Sequence, residues 1–91
     1  PPCHSDRAGR LNNAGTRLGY RYSRTGAMAD LDEAIRLGRE AIDATPLDHP
    51  ARAGWLNNLG NHLRSRYSRT GAMADLEETI RLGREAIDAT P

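Results

Sequence analysis

The stretch from Tyr22 to Pro46, YSRTGAMADLDEAIRLGREAIDATP, returns from Tyr67 to Pro91 as YSRTGAMADLEETIRLGREAIDATP. Only two positions change, Asp32 to Glu77 and Ala34 to Thr79. The segment DRAGRLNNAG at 6–15 aligns with ARAGWLNNLG at 51–60 after the same shift of 45 residues. Such a period is typical of a solenoid, in which each unit buries its apolar face against its neighbours. The sequence therefore predicts two repeat units, residues 1–46 and 47–91, that form a binding surface rather than a catalyst.

The composition favours an all-helical fold. The 91 residues include no Lys, Val, Phe or Gln and are rich in Ala, Leu, Arg and Glu. Thirteen arginines and twelve acidic residues leave a net charge of +1, which indicates no strong attraction to nucleic acid. No apolar run approaches the roughly 18 residues that a membrane span requires, and no secretory leader opens the chain. With Cys3 as the single cysteine, we expect no internal disulfide and a cytoplasmic location.

Each unit is predicted to contain two helices. In the first, helix A, apolar residues and a glycine recur at spacings of three, four and seven: Ala8, Leu11, Ala14, Gly15, Leu18 and Tyr22. Helix A is expected over about 5–22 and 50–67, and helix B over about 30–44 and 75–89. Gly26 and Gly71 break the pattern behind Ser-Arg-Thr, and Asp30 and Asp75 are predicted as the acidic start of helix B. Pro46 prevents its continuation.

The apolar stripe of helix B contains Met28, Leu31, Ala34, Ile35, Gly38, Ala41 and Ile42. Glycines within helices, Gly15 and Gly38 with their counterparts Gly60 and Gly83, lie in the middle of such stripes. Because glycine in a helix costs roughly 1 kcal/mol relative to alanine, we interpret these positions as close helix crossings. The charged residues on the other side of helix B are expected to form a solvated face.

A motif at the start of the second unit resembles the tetratricopeptide repeat, in the long variety found in kinesin light chains and in fungal and bacterial immune-receptor-like proteins. The string D-H-P-x-x-A-x-x-L-N-N-L-G runs from Asp48 to Gly60, and the first unit keeps His4, Ala8, Leu11, Asn12, Asn13 and Gly15. The resemblance implies an all-α superhelix, a solenoid of two helix-turn-helix repeats with four antiparallel helices. It also implies a fragment of a longer array, although a designed consensus protein would look similar.

Two departures from the family pattern affect the surface. Gly38 and Gly83 stand where the family usually has an aromatic residue in helix B, and the 45-residue unit exceeds the family norm. The additional length falls mostly in the stretch 20–29, between helices A and B.

The resemblance implies a partner protein or peptide on the helix A face that lines the groove. An advance of 100° per residue places Asn13, Thr16 and Tyr20 opposite the core stripe, with Asn58, Asn61 and Ser65 as counterparts. In the family the second Asn of the motif binds the backbone of an extended peptide, a role carried here to Asn13 and Asn58. The alternative is that both bond to loops or neighbouring helices. Trp55 is either an anchor for the partner or a packing residue against the adjacent repeat.

No constellation for catalysis, a cofactor or a metal stands out. Cys3 and His4 are adjacent and His49 belongs to the next unit, which disfavours a metal site. The basic zone of Arg21, Arg24, Arg64, Arg66 and Arg69 leaves nucleic-acid binding as a minor alternative. More plausible partners for these guanidinium groups are helix carbonyls and acidic residues of the following unit.

A different class of function is self-assembly through uncapped repeat ends. Solenoids generally need about three or more units for stability, and an apolar end that fits the start of another copy produces rings or filaments. The sequence therefore predicts, as the alternative, a homo-oligomer formed by end-to-end stacking or by exchange of helices between copies.

Overall fold

The computed structural model describes the backbone of residues 4–90 and the side chains of residues 7–90. Four helices follow one another: α1 (His4–Thr25), α2 (Met28–Asp43), α3 (Arg52–Thr70) and α4 (Met73–Ala89). The backbone of 4–90 contains no strand, so the predicted all-α fold of two helical hairpins is confirmed. The Cys3 and His4 side chains, considered above as metal ligands, lie outside the described part.

Each hairpin turns at a glycine with a left-handed backbone. Gly26 has φ 74° and Gly71 has φ 71°, a region that glycine enters without a steric penalty. Their N–H groups donate to the carbonyl oxygens of Tyr22 and Tyr67, each at 2.7 Å, and so satisfy the ends of α1 and α3. These helices end at Thr25 and Thr70, three residues later than predicted, because Ser-Arg-Thr continues the helix up to the glycine.

A threonine rather than an aspartate prepares the start of the second helix in each hairpin. Thr25 Oγ1 accepts a hydrogen bond from the Ala27 N–H at 3.2 Å, and Thr70 Oγ1 accepts one from Ala72 at 3.1 Å. Helices α2 and α4 begin at Met28 and Met73, and their N-cap alanines make no side-chain cap bond. The predicted acidic cap at Asp30 and Asp75 is therefore wrong. Both carboxylates bind an arginine of the preceding helix instead.

Helix α2 packs between α1 and α3. Six of the seven stripe residues predicted for this helix are buried, and Met28 is half-buried. Its most deeply buried large side chains, Leu31 and Ile35, meet Leu56 and Leu63 of α3 in one apolar core. The order α1, α2, α3, α4 thus gives two antiparallel hairpins in which α3 covers the α2 face of the first hairpin.

The crossings predicted at glycines are close in the first hairpin only. A Cβ atom on Gly15 would lie 3.2 Å from the Ala34 oxygen, and one on Gly38 would lie 3.0 Å from Leu59 Cδ1. In the second hairpin, a Cβ atom on Gly60 would be 4.0 Å from Thr79 Cγ2, and one on Gly83 would have no neighbour within 4 Å. Thr79 replaces the smaller Ala34 at the first crossing, and no described helix covers α4 at the second.

Candidate functional site

Helices α1 and α3 lie side by side and form one face of the molecule. Their contact line uses glycines of α1, since a Cβ atom on Gly9 would be 3.9 Å from Trp55 Cζ2 and one on Gly19 would be 2.5 Å from His62 Cε1. The His62 ring occupies the space that a larger side chain at Gly19 would need. Burial of that ring lowers the pKa of His62. The missing side chain of Gly19 therefore allows the two helices to approach, whereas a Cβ atom on Gly9 would make only an ordinary contact with Trp55.

The residues predicted to bind a partner differ in how far the structure exposes them. Asn13, Thr16 and Tyr20 are exposed on α1, and Tyr20 retains 68% of its surface. On α3, Asn61 is exposed, whereas Asn58 and Ser65 are half-buried. The helical spacing puts these six residues on the solvent side of the α1–α3 contact line. They consequently form a polar row with one exposed aromatic ring, called here the α1–α3 face.

Asn58 is fixed by a residue that the sequence did not single out. Its Nδ2 donates to Oδ1 of Asn12 at 3.2 Å, and Asn12 is buried with 9% of its surface exposed. This bond crosses from the second repeat to the first and uses one of the two Nδ2–H groups of Asn58. The signal was present in the Asn-Asn pair of each motif, because the first Asn of unit one faces the second Asn of unit two.

Two other polar residues of the α1–α3 face each take part in one hydrogen bond within the protein. Thr16 Oγ1 donates to the Asn12 carbonyl oxygen at 2.9 Å, and Arg64 Nη2 donates to Asn61 Oδ1 at 3.1 Å. Within residues 7–90, the Asn13 side chain makes no hydrogen bond. Asn13 therefore presents both a donor and an acceptor group to solvent.

Trp55 packs on one side against the protein and remains partly exposed to solvent. Its ring stacks on His49 with centroids 5.1 Å apart and an interplanar angle of 26°, and it is half-buried against the apolar core. His49 also holds the residue before α3, because its Nδ1 accepts the Ala51 N–H at 3.0 Å. Sequence reasoning missed this role of His49. The stack places Trp55 at the junction of the α2–α3 loop with α1.

Two of the five arginines in the basic zone are paired with acids. Arg21 donates to both carboxylate oxygens of Asp30 at 2.8 and 2.7 Å, and Arg66 binds Asp75 and Asp32. The Arg69 guanidinium lies 5.7 Å from the Tyr22 ring centroid and donates to the Tyr22 hydroxyl at 3.1 Å. These three arginines join helices. The acids that they bind among the described side chains belong to the same unit or to the preceding one, and not to the following unit as predicted. Arg24 and Arg64 of the zone are exposed.

Three further observations bear on the kind of site. A cavity of about 460 Å³ lies away from the α1–α3 face and is lined by Leu47, Arg52, Glu85, Asp88 and Ala89. Among the described side chains, no three His, Cys, Asp or Glu residues are grouped as a metal site would require. Over 4–90, no helix has both the length and the apolar character needed to cross a bilayer.

Comparison with known families gives one clear result. A family model described as a tetratricopeptide repeat matches residues 7–51 and 52–89. Each matched segment contains one hairpin, and the division falls at the start of α3. No curated protein and no solved structure gives a significant match to the chain.

Proposed function

The chain belongs to the tetratricopeptide repeat family, and we propose that it is a non-catalytic scaffold that binds a partner protein or peptide on the α1–α3 face. Repeats of this family generally mediate protein–protein interaction. The observation that carries the proposal is the row of exposed polar groups on two adjoining helices, with Asn13 open to solvent and Asn58 held by Asn12.

The chemistry of this face suits an extended peptide backbone. An asparagine amide can donate to a peptide carbonyl and accept from a peptide N–H, so it can hold a main chain whatever its side chains. The hydrogen bond that Asn58 donates to Asn12 restricts the rotamers of Asn58 before a ligand arrives, which reduces the entropy lost on binding. Tyr20 adds an exposed ring that can bury apolar surface against a partner side chain.

Differences between the repeats would supply selectivity. Thr16 is replaced by Asn61 and Tyr20 by Ser65, whereas the asparagine pair is kept. The two repeats thus offer the same backbone contact and different side-chain contacts. A peptide that crosses both repeats would be held in one direction.

A peptide selected from a displayed random library against the 91-residue chain provides the ligand for a test. We expect Asn13→Ala to weaken its binding by about tenfold in calorimetry, since about 1.4 kcal/mol corresponds to a factor of ten. Ser68→Ala is the control, because Ser68 is an exposed polar residue on α3 outside the predicted row. Equal affinities of the Asn13 variant and the unmodified chain, at equal helicity, would exclude this face as the binding site.

A second candidate function is self-assembly through the repeat ends, by stacking or by exchange of helices. The specific observation is that the apolar face of α4 is uncovered: Met73, Ile80 and Ile87 expose 57%, 51% and 74% of their surface. Their counterparts Ile35 and Ile42 in α2 expose only 1% and 9%. Molar mass from light scattering that rises with protein concentration would support this candidate.

A further inference from the structure

We propose, on the basis of the self-assembly candidate above, that α1 of a second copy docks on α4 in the register in which α3 docks on α2. Copies of the chain would then stack head to tail. The repeat relationship makes this inference specific, because the α2–α3 interface shows which groups cover such a face and the sequence shows which of them α1 also carries.

The occupied interface combines apolar packing with arginine links. Leu59 of α3 lies over Gly38 of α2, close enough that a Cβ atom there would be 3.0 Å from Leu59 Cδ1. Arg66 Nη1 donates to Asp32 Oδ1 at 3.1 Å, and Arg39 of α2 donates to both carboxylate oxygens of Glu78 at 2.6 and 3.2 Å. Thus α2 and the second hairpin each donate from an arginine to a carboxylate of the other.

Two other arginines of α3 reach backbone and hydroxyl acceptors of the first hairpin. Arg52 Nη1 donates to the carbonyl oxygens of Ile42 at 3.2 Å and Thr45 at 2.8 Å, at the end of α2. Arg69 Nη1 donates to the Tyr22 hydroxyl at 3.1 Å and to the Gly26 carbonyl oxygen at 3.4 Å. Three arginines at positions 52, 66 and 69 therefore fix the register of α3 on the first hairpin.

The same acceptors recur, without these donors, around α4. A shift of 45 residues turns Asp32 into Glu77, Tyr22 into Tyr67 and the carbonyls of Ile42 and Thr45 into those of Ile87 and Thr90. A cavity of about 90 Å³ between α3 and α4 is lined in part by Asn57, Arg64 and Gly83. In the first hairpin, the counterparts of these lining residues contact Asn58, His62 and Leu59. This cavity is therefore the place that residues of a further helix would fill.

Helix α1 carries the matching set of donors. Arg7, Arg21 and Arg24 occupy the positions of Arg52, Arg66 and Arg69. The core leucines Leu56 and Leu63 have Leu11 and Leu18 as counterparts, and Asn58 has Asn13. The reverse link is also kept, because Arg84 and Glu33 correspond to Arg39 and Glu78. Every polar link between the two hairpins described above therefore has both of its partners in a head-to-tail pair.

Three replacements make the contact between copies weaker than the one within the chain. Arg10, Ala14 and Arg17 stand at the positions of Trp55, Leu59 and His62. Ala14 covers less apolar surface than leucine, and Arg17 would face Arg64, which occupies the position of Gly19. Like charges at this point oppose docking. We consequently expect association that depends on concentration, and Arg64→Ala should tighten it about tenfold by removing the repulsion.

Two variants, each designed to block one of the two docking faces, test the proposed register of α1 on α4. Ile80→Glu places a charge on the α4 face, and the double variant Arg7→Glu, Arg24→Glu reverses the charges on the α1 face. Sedimentation equilibrium over a wide concentration range should show mass rising beyond a dimer for the unmodified chain and monomers for each variant alone. An equimolar mixture should stop at a heterodimer, since only one open end remains on each partner. Asp48→Ala, at an exposed position of the loop between α2 and α3 that takes part in none of these contacts, should behave as the unmodified chain. Circular dichroism should report equal helicity for all variants.

The other outcomes separate the inference from the self-assembly candidate. Dimers that Ile80→Glu abolishes and the α1 variant leaves intact would mean that two α4 faces meet, so the register would be wrong and self-assembly would stand. Dimers insensitive to both variants would indicate exchanged helices, which also overturns the register. A chain that stays monomeric at millimolar concentration would overturn the register and self-assembly together.

Discussion

Arg66 and Asp75 form a two-pronged ion pair that joins α3 to α4: Nε and Nη2 of the arginine donate to the two carboxylate oxygens, each at 2.9 Å. The third nitrogen, Nη1, donates to Asp32 of α2 at 3.1 Å. One side chain thus connects three helices and both repeats. Asp75 exposes only 5% of its surface, and the hydrogen bonds from Arg66 lower the pKa of its carboxyl group.

Removal of Arg66 should destabilise the fold more than removal of its counterpart in the first repeat. We expect Arg66→Ala to lower the unfolding free energy by about 2–3 kcal/mol, because a buried carboxylate loses its partner. Arg21→Ala is the matched control, since Arg21 makes the same pair with Asp30 but is largely exposed. Urea unfolding followed by circular dichroism measures both. Equal losses for the two variants would show that burial of Asp75 contributes nothing.

Acid should weaken the protein through the same carboxylate. The pKa of Asp75 is lower in the folded chain than its ordinary value of 3.8, so the unfolded state binds protons first as the pH falls. The stabilisation is therefore complete well above pH 3.8 and is lost as the pH drops below it. Asp75→Asn cannot titrate, and its unfolding free energy should fall less steeply below about pH 4 than that of the unmodified chain. Parallel curves in urea titrations at several pH values would contradict this assignment.

The fold could be predicted because periodicity records burial directly. The spacing of Leu31, Ile35 and Ile42 marked the core face of α2, and all three are buried. The start of α2 could not be located as well, since Asp30 resembles an N-cap in sequence but its carboxylate is taken by Arg21, nine residues earlier. The local sequence around Asp30 does not show that Arg21 competes with the helix N-terminus for this carboxylate. Thr25, placed just before the glycine, supplies the hydroxyl instead.

The candidate site was harder to predict because its residues depend on the neighbouring repeat. Helical spacing put Asn13 and Asn58 in equivalent positions, yet one is exposed and the other is bonded to Asn12. The difference arises because, among the described helices, α3 is flanked on that side by α1. The stack of His49 on Trp55 likewise joins a loop to a helix. Pairings of this kind follow from packing between units, which the sequence of one unit does not specify.

Trp55 should contribute to stability even if it also contacts a partner. Because its half-buried ring stacks on His49 and adjoins Gly9, we expect Trp55→Ala to lower the unfolding free energy by about 2 kcal/mol. Tyr20→Ala is the comparison on the same face, and its change should stay within about 0.5 kcal/mol because Tyr20 is exposed. Thermal and urea unfolding report both. A Trp55 variant as stable as the unmodified chain would favour its role as an anchor alone.

Alanine should have different effects at Gly83 and Gly38, although both glycines lie in the same sequence, RLGRE. A Cβ atom at Gly83 meets nothing within 4 Å, so the gain in helix propensity, up to about 1 kcal/mol, should appear in full. At Gly38 the added atom would lie 3.0 Å from Leu59 Cδ1, and displacement of that side chain should cancel much of the gain. Urea unfolding at micromolar protein keeps assembly from contributing. Equal gains would mean that Leu59 moves aside freely and that the α2–α3 packing is looser than the distance indicates, which would also weaken its use as the template for contact between copies.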